Sequence, residues 1–596
     1  MKGRIIKMNR YLGIVNYLSD ISQSDYIEKA YDNLKNKFNI NQKLDLFKTS
    51  HINLSNGFLN KSFGTDKYVI MYNGHIYNIK EIKKDLTAKG YRFSTKTNLK
   101  KEKIVPIQNI DKYLEAEILL TSYHEYKEKF LEHLNGAFSI CIYDKTNNIV
   151  FLSRDRLGIK PLYYTNNKEN KSFIFSTNIK DILNVPTMKA TLDKQGILEL
   201  IGMGPFHTPG LTYFKDIYEI LPGHYAIYSN IGLTTHKYWE LNKKKCLQNE
   251  SDCIKTLQSL LKDSIKTKII DIEKIGILSP KSINSGIAIS YIHNTTPNIH
   301  TFSYNNYISD SKEKIKDSNY IKFIKRTFGV CNYNIISDTK VLHSLLIPSM
   351  MARDMPGMAY DDSTMLEFYS AIKNNGLDKC MSNLYCNEMN NTNPIFFSQD
   401  IRNQIINKKI LNNNLLEEYI SLKYDEFVKD VIYLTNDDEK NKKQKYLNIK
   451  WHLYSQIERI NYISSNIDLE VFLPFIDYRI IEYIYNLPDN IDENYIFEKI
   501  YDKYFPNVKI STNNSQINHD KIYINTLEHE LKKILNDSES KLLKIVDKNY
   551  ILKIINSKET DLNIKTMNNN LSYIQILTYL IQIEYWINIY DIEIEL

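Results

Sequence analysis

The chain has 596 residues, 43% of them hydrophobic and 25% charged, with 19 Gly and 14 Pro, a balance that suits folded domains and excludes a disordered or collagen-like chain. Seventy-seven basic residues against 70 acidic ones leave a net charge of +7, spread along the sequence, so no basic footprint for nucleic acid is present. The length exceeds what one hydrophobic core sustains and predicts two or more domains.

The six cysteines, Cys141, Cys246, Cys253, Cys331, Cys380 and Cys386, form no CxxC pair and have no histidines at zinc spacing. Neither a metal site nor a dense disulfide framework is predicted, and reduced thiols in a cytoplasm are the simplest reading. Residues 1–18 carry basic groups but no apolar signal-peptide core, and no run of about 18 apolar residues occurs, so the expectation is a soluble cytoplasmic protein without membrane contact. The 45 Tyr against 3 Trp read as a codon-level bias. The lysine clusters at 243–245 and 440–445 sit among polar residues and read as solvated linkers or helix faces that imply no partner.

In chain order, the segments YLGIVNYL (11–18), KYVIMYNGHIYN (67–78), AFSICIYD (137–144), IVFLSRD (149–155) and FIFSTN (173–178) read as strands bounded by Asn and Gly. Between them, residues 113–134 have apolar positions at helical spacing, which predicts a helix packed on the strands and an α/β layered domain. The polar stretch 242–251 marks a change of pattern. Beyond it come a helix-like segment at 253–269, the apolar run IGIL at 275–278, a loop and a second helix, the opening of a strand–loop–helix unit. Helices are predicted at 317–328, 364–374, 413–435, 446–466, 478–487, 522–556 and 571–590, with loops at the Asn-rich pieces Asn390–Asn393 and Asn568–Asn570, and no internal repeat. The organisation read from these patterns is an extension over 1–10, a first domain over 11–241, a linker over 242–252 and a second domain over 253–596.

Leu134-Asn135-Gly136-Ala137-Phe138-Ser139, followed by Arg154-Asp155-Arg156-Leu157-Gly158-Ile159-Lys160-Pro161-Leu162-Tyr163-Tyr164, resembles the glutaminase domain of glutamine-dependent asparagine synthetases. Tyr72-Asn73-Gly74-His75-Ile76-Tyr77-Asn78 is similar to the family's N-G-E-I-Y-N, and Leu221-Pro222-Gly223-His224 and Tyr238-Trp239 follow in the family's order. Glu470-Val471-Phe472-Leu473-Pro474-Phe475-Ile476-Asp477 and Leu487-Pro488 resemble the synthetase domain more faintly. The resemblance implies an N-terminal-nucleophile-type α/β/β/α sandwich. It further implies a doubly wound α/β ATP-pyrophosphatase-like domain with a helical extension, whose ligands would sit beyond the carboxyl ends of the strands.

Carried over residue by residue, the resemblance points away from the family chemistry. Glutamine hydrolysis there uses an N-terminal Cys whose own α-amine is the base; Leu12 stands in its place. Asn73 and Gly74 match the oxyanion donors, with a tight turn as the competing reading of an Asn-Gly pair. The glutamine-recognition positions read His75 for Glu, Asn53 for Arg and Glu115 for Asp, and only Glu115 keeps the charge. A lone His75 without a nucleophile reads as a surface or hydrogen-bonded residue rather than a base. Arg154, Asp155, Arg156 and Lys160 suggest either a phosphate site or, better, a buried ion-paired scaffold.

In the second domain the family loop S-G-G-x-D-S cradles pyrophosphate on glycine amides at a helix N-terminus. The matching stretch is Leu278-Ser279-Pro280-Lys281-Ser282-Ile283-Asn284-Ser285-Gly286, and in either register both glycines and the carboxylate are replaced. Pro280 has no amide to donate. Ser279, Lys281, Ser282, Asn284 and Ser285 remain as candidates for residual anion binding, with Gly286 opening the helix, against a plain strand–helix turn. The family's S-G-D-G-x-D-E reads Ser382-Asn383-Leu384-Tyr385-Cys386-Asn387-Glu388, leaving Glu388 alone to hold Mg²⁺ or a substrate amine. The Asp-Arg before E-x-R reads Asn461-Tyr462, and the Arg of E-x-R reads Phe472. The expectation is a catalytically inactive family member, structural or bound to an unidentified protein partner or to its own copies, with no cofactor and no metal. The alternative is a divergent ATP-dependent amide-forming ligase using ammonia or a peptide amine, for which alone ATP and Mg²⁺ would be needed. Leu12 ranks an ordinary glutamine-dependent asparagine synthetase last.

Overall fold

A computed structural model describes residues 10–38, 46–56, 63–64, 67–95, 110–167, 171–242, 244, 246–270, 272–279, 282–296, 298–306, 311–384, 399–408, 413–429, 431, 443–488, 490–506, 508, 521–557, 564–566, 569–571 and 573–596. The chain divides into two compact units, Met1–Thr191 with Pro209–Glu240, and Leu192–Thr208 with Leu241–Leu596.

In the first unit the β-branched and aromatic runs become strands β1 (Tyr11–Val15), β2 (Leu46–Lys48), β3 (Ile52–Asn56), β4 (Phe63–Gly64), β5 (Tyr68–Ile76), β6 (Gly136–Asp144), β7 (Ile149–Arg154), β8 (Tyr163–Asn167) and β9 (Ser172–Ser176). After the two-residue β10 (Thr191–Leu192) follow β11 (Ile217–Glu219), β12 (His224–Ser229) and β13 (Gly232–Lys237). All but β10 build two six-stranded sheets, ordered β11-β8-β9-β1-β3-β2 and β13-β12-β7-β6-β5-β4. Side chains alternate across each strand, so one face of each sheet enters a shared core. Tyr11, Val15, Leu54, Phe173 and Phe175 from the first sheet meet Val69, Met71, Cys141, Val150 and Leu152 from the second.

The outer face of the second sheet, with Ile70, Tyr72, Ile140 and Phe151, packs on Ile82 and Leu86 of α2 (Ile79–Ala88) and on Leu119 and Tyr123 of α3 (Ile110–Tyr126). The outer face of the first sheet is covered by α1 (Tyr26–Phe38) and α4 (Ile179–Leu183): Tyr31 bonds Ser55 of β3, and Ser176 of β9 donates to Asp181. The layers are α/β/β/α, as the resemblance implies. The helix read over 113–134 is interrupted, because Lys127 has φ 51° and a 3-10 turn, Lys127–Lys129, separates α3 from the helical turn Phe130–His133.

The turn after β7 is the buried scaffold expected from Arg154, Asp155 and Arg156, but it grips main chain more than opposite charge. The Asp155 carboxylate accepts from the amides of Phe138 (3.2 Å), Leu157 (3.1 Å), Ile159 (2.9 Å) and Lys160 (2.9 Å). Burial pushes its carboxyl up, and the amides and Arg154 offset that in part. Arg154 donates to the carbonyls of Lys160, Gly158 and Ile220, and Arg156 to those of Leu131, Glu132 and Leu134. Glu219, 3.6 Å from Arg154, adds a buried side-chain ion pair.

The second unit is built on a five-stranded sheet of β14 (Lys274–Leu278), β15 (Asn298–Asn306), β16 (Cys331–Ser337), β17 (Lys379–Met381) and β18 (Glu470–Phe472). Its order is β16-β15-β14-β17-β18 and every pairing is parallel. The chain winds outward from β14 in one direction and then, through β17, in the other. Right-handed crossovers therefore place helices on both faces, and the switch point lies between β14 and β17.

The longer helices are α5 (Glu250–Lys268), α6 (Ile283–Ile292), α7 (Ser311–Phe328), α8 (Leu346–Arg353), α9 (Ala359–Asn374), α10 (Asn413–Val428), α11 (Tyr454–Asn466), α12 (Tyr478–Tyr485), α13 (Glu493–Asp502), α14 (Lys521–Asn536), α15 (Lys548–Ser557) and α16 (Tyr573–Ile589). The single helix read over 522–556 is two, because the chain turns between Asn536 and Lys548 and Val546 bridges Ile406 there. No described helix is long and apolar enough to cross a membrane.

Two features of this unit have no sequence signal. Leu192–Thr208 packs here rather than in the sandwich: Glu199 accepts from the amide and hydroxyl of Thr208 (both 2.7 Å) and from the Tyr419 hydroxyl, His207 Nε2 lies 3.0 Å from Glu458, and Trp451 donates to the Phe206 carbonyl. Buried charges also assemble from distant positions. Asp362 lies between Arg353 (3.1 Å) and Arg459 (2.7 Å). Asp477, from the PFID segment, caps α12 and bonds Arg479 (3.0 and 2.9 Å), with Lys268 at 3.4 Å.

Burial opposes the charge on Asp477, but Lys268 and Arg479 outweigh it and hold the carboxyl well below the usual range.

Two outcomes follow. Asp155→Ala strands four amides, three of them buried, and lowers the urea midpoint of the first unit by the equivalent of about 3 kcal/mol, read by circular dichroism. Asp477 has a depressed folded pKa, so its stabilisation is complete above the unfolded carboxyl value near 4 and is lost as pH falls below it. The stability gap between the protein and Asp477→Asn, largest at pH 7 and about 3 kcal/mol for a broken buried pair, therefore narrows below about pH 4 in denaturation curves taken across pH.

Candidate functional site

Leu12, the residue that the resemblance sets against the nucleophile, is fully buried in β1. It pairs with Ser55 of β3 on one side and Ser176 of β9 on the other. Because Tyr11 and Val15 enter the inter-sheet core, alternation turns Leu12 to the opposite face, toward the layer of α1 and α4. The backbone runs on through this point as an internal, buried segment. The Tyr11 amide donates to Thr177 Oγ1 (3.2 Å), and the Arg10 guanidinium makes a bidentate pair with Asp181 (3.1 and 2.5 Å). The nitrogen of residue 12 is thus a peptide nitrogen inside a sheet.

Asn73, Gly74 and His75 lie within β5, which corrects the tight-turn reading. Gly74 pairs with Phe138 of β6, has φ 121°, and a Cβ there would stand 1.9 Å from the Ala137 carbonyl oxygen. Only glycine fits that register. Asn73 is half-buried, and its side-chain amide has no hydrogen-bond partner among the described residues.

Glu115, the charge retained at the recognition positions, is already engaged. It accepts from the Tyr72 hydroxyl and lies 3.2 Å from Lys112 Nζ. The Lys112 ammonium also donates to the Gly74 carbonyl (2.5 Å), lies 3.4 Å from His75 Nδ1, and sits 4.9 Å from the centroid of the Tyr72 ring, a cation–π arrangement. Burial, and then the Glu115 charge, push the Tyr72 hydroxyl well above its ordinary range. Lys112 escaped the sequence reading because the helix was taken from 113; its signal was the i,i+3 pairing with Glu115. Asn53 is drawn away from this cluster: its amide donates to the Ile21 carbonyl (2.8 Å) and Ser24 Oγ (2.9 Å).

In the second unit, the loops after β14 and β17 meet at the switch point. Ser279 adopts φ 46°. Ser282 caps α6 by accepting from the Ser285 amide (3.0 Å), and Ser285 Oγ donates back to the Leu278 carbonyl (2.7 Å). Asn284 Nδ2 donates to the Asn383 carbonyl (3.1 Å), and Asn383 Nδ2 donates to Ser282 Oγ (3.2 Å), so the loops clasp each other. The Asn284 side-chain oxygen is buried without a partner among the described residues.

Gly286 does not open the helix; it lies inside α6, where a Cβ would meet the Tyr501 ring at 2.6 Å, so its role is close packing. Lys281 and Glu388 lie outside the described residues. The described residues of the crevice, Ser279, Ser282, Asn284, Ser285, Ser382 and Asn383, are all neutral, and no group of three or more His, Cys, Asp or Glu among the described residues is placed to hold a metal. Asn461 is buried in α11, bonded to the Ile457 carbonyl, and Phe472 is buried at the end of β18.

A two-sheet sandwich of the glutaminase type, joined to a parallel sheet whose switch point carries a strand–loop–helix turn, defines the two-domain amidotransferase–synthetase class. The glutamine amidotransferase domain profile matches residues 60–239, and the asparagine synthase profile matches residues 258–588. The second match spans more than half of the sequence, and the chain belongs to the asparagine synthase family.

The glutamine-hydrolyzing asparagine synthetase 3 of Bacillus subtilis (strain 168) is 28% identical over 564 residues, covering 89% of this chain and 88% of that protein. Asparagine synthetase 1 of the same organism is 27% identical over 255 residues, 43% of this chain and 37% of that protein. A solved glutamine phosphoribosylpyrophosphate amidotransferase from B. subtilis aligns with TM-score 0.26 and 12% identity over 63% of this chain and 82% of that one, too distant to add to the assignment.

The Asn284–Asn383 clasp makes a direct prediction. Asn383→Ala removes the donor to Ser282, lowers the stability of the second unit by about 1 kcal/mol, and speeds amide hydrogen exchange at residues 282–286, measured by mass spectrometry.

Proposed function

We propose that this chain is a catalytically silent member of the asparagine synthase family that acts through its folded surface, as a structural protein or as the non-catalytic partner of another protein or of a second copy of itself. One observation carries the reading: the nucleophile position is Leu12, a buried aliphatic residue whose nitrogen is a peptide nitrogen inside β1. Glutamine hydrolysis needs at that point a thiol to attack the amide and an adjacent base to take its proton. Leu12 offers neither.

The neighbouring groups support the same reading. The Lys112 ammonium rests on Glu115, one of the glutamine-recognition positions by the resemblance, and Asn53 cannot replace an arginine on a carboxylate. At the switch point, Mg²⁺ favours carboxylates and water, whereas the described crevice offers hydroxyls and amides that already bond one another. The divergent ATP-dependent ligase, which would take ammonia or a peptide amine, is the reading that replaces this one if nucleotide binds.

Calorimetry and thermal melting with ATP and Mg²⁺ test the proposal, since a ligand of the native state must stabilise it. At millimolar ATP the expected result is no saturable heat and no rise in melting temperature. Saturable binding would overturn the proposal in favour of the ligase. In parallel, ammonia release from glutamine stays at background for the protein and for full-length Leu12→Cys, whose new thiol has no free α-amine beside it; release above background by the unsubstituted protein would refute the silent assignment.

A further inference from the structure

Two thiols meet where the chain enters the second unit. Cys246 is half-exposed and Cys253 is fully buried in the first turns of α5. The Cys253 thiol interacts electrostatically with Cys246 and with Tyr483 of α12. Gln248 joins the group: its side-chain oxygen lies 4.0 Å from Cys246 Sγ and accepts from the Tyr483 hydroxyl (2.6 Å), and its carbonyl lies 3.9 Å from Cys253 Sγ. The segment is anchored just upstream, where Asn486 accepts from the Lys244 amide (2.5 Å) and donates to the Asn242 carbonyl (3.1 Å). The other described cysteines are differently placed: Cys141 and Cys380 are buried in sheets, and Cys331 is exposed on β16.

We propose that Cys246 and Cys253 form a reversible thiol–disulfide pair, with Cys246 as the attacking and Cys253 as the resolving cysteine, oxidised by a small-molecule disulfide of the glutathione class. Exposure sets the order, because an attacking sulfur must reach the oxidant and the resolving one need reach only its neighbour. The Cys246 thiolate attacks one sulfur of the disulfide RSSR, forming Cys246–S–S–R and expelling RS⁻. Cys253 then loses its proton, and its thiolate attacks the Cys246 sulfur, forming the Cys246–Cys253 bond and releasing the second RS⁻. Two protein thiols are oxidised and RSSR is reduced to two RSH.

The product closes a short ring that ties the lead-in segment to the first turns of α5, adding a covalent anchor to the Asn486 hydrogen bonds. Burial raises the Cys253 thiol above its ordinary value, so the resolving step quickens as pH rises above neutrality.

The test uses the full chain, incubated with glutathione disulfide, alkylated, digested and analysed by mass spectrometry. The expected result is a peptide cross-linked between Cys246 and Cys253, with both thiols lost together and both regained on adding reduced glutathione. Cys253→Ser is expected to stop at a stable glutathione adduct on Cys246, and Cys246→Ser to leave Cys253 unmodified. A glutathione adduct persisting on Cys246 of the unsubstituted chain beside a free Cys253 would overturn the proposal, as would absence of reaction at Cys246 while exposed Cys331 reacts. Matching circular dichroism of the serine variants and the parent excludes misfolding as the cause.

Discussion

The backbone of β1 is paired on both edges, and the character of the first unit follows from that constraint. Immediately before this strand, which is held between β3 and β9, stands Arg10, whose charge is buried and must be matched. Asp181 of α4 matches it, and Ser176 bonds both Asp181 and the Tyr11 carbonyl. This end of the sheet is a closed, hydrogen-bonded joint.

Polar groups with internal partners recur in each unit. In the sandwich, Lys112 supplies an ammonium to Glu115, the Gly74 carbonyl and the Tyr72 ring. At the switch point of the parallel sheet, Asn284 and Asn383 join two loops by neutral hydrogen bonds. Neutral amides clasp without the mutual repulsion that carboxylates would suffer without a cation. Each clasp satisfies polar groups that would otherwise need water or a ligand. The Asn284 and Asn53 side-chain oxygens are among the described exceptions.

What retains the architecture is a set of buried anchors remote from that chemistry. Asp155 gathers four amides and Arg154 three carbonyls, fixing the turn that joins β7 to the first sheet. Asp477 ties α5 to α12 through Lys268 and Arg479. The RDRLGIKPLYY and PFID segments hold main chain and buried charge in place.

Much of this was legible in the residues alone. Alternating apolar runs marked β1, β5, β6, β7 and β9, the IGIL run marked β14, and the RDRLGIKPLYY segment identified the family, because periodicity and turn chemistry are local properties written in consecutive residues. The sequence could not say that Asn73-Gly74 lies within a strand, since an Asn-Gly pair carries the same local preference in a turn and only the pairing of β5 with β6 decides. It also could not show that Leu192–Thr208 joins the second unit, that Asp362 sits between Arg353 and Arg459, or that Lys112 lies on Glu115 and Asn284 on Asn383. Those depend on which residues distant in sequence are brought within hydrogen-bonding reach, and packing, not local preference, sets that distance.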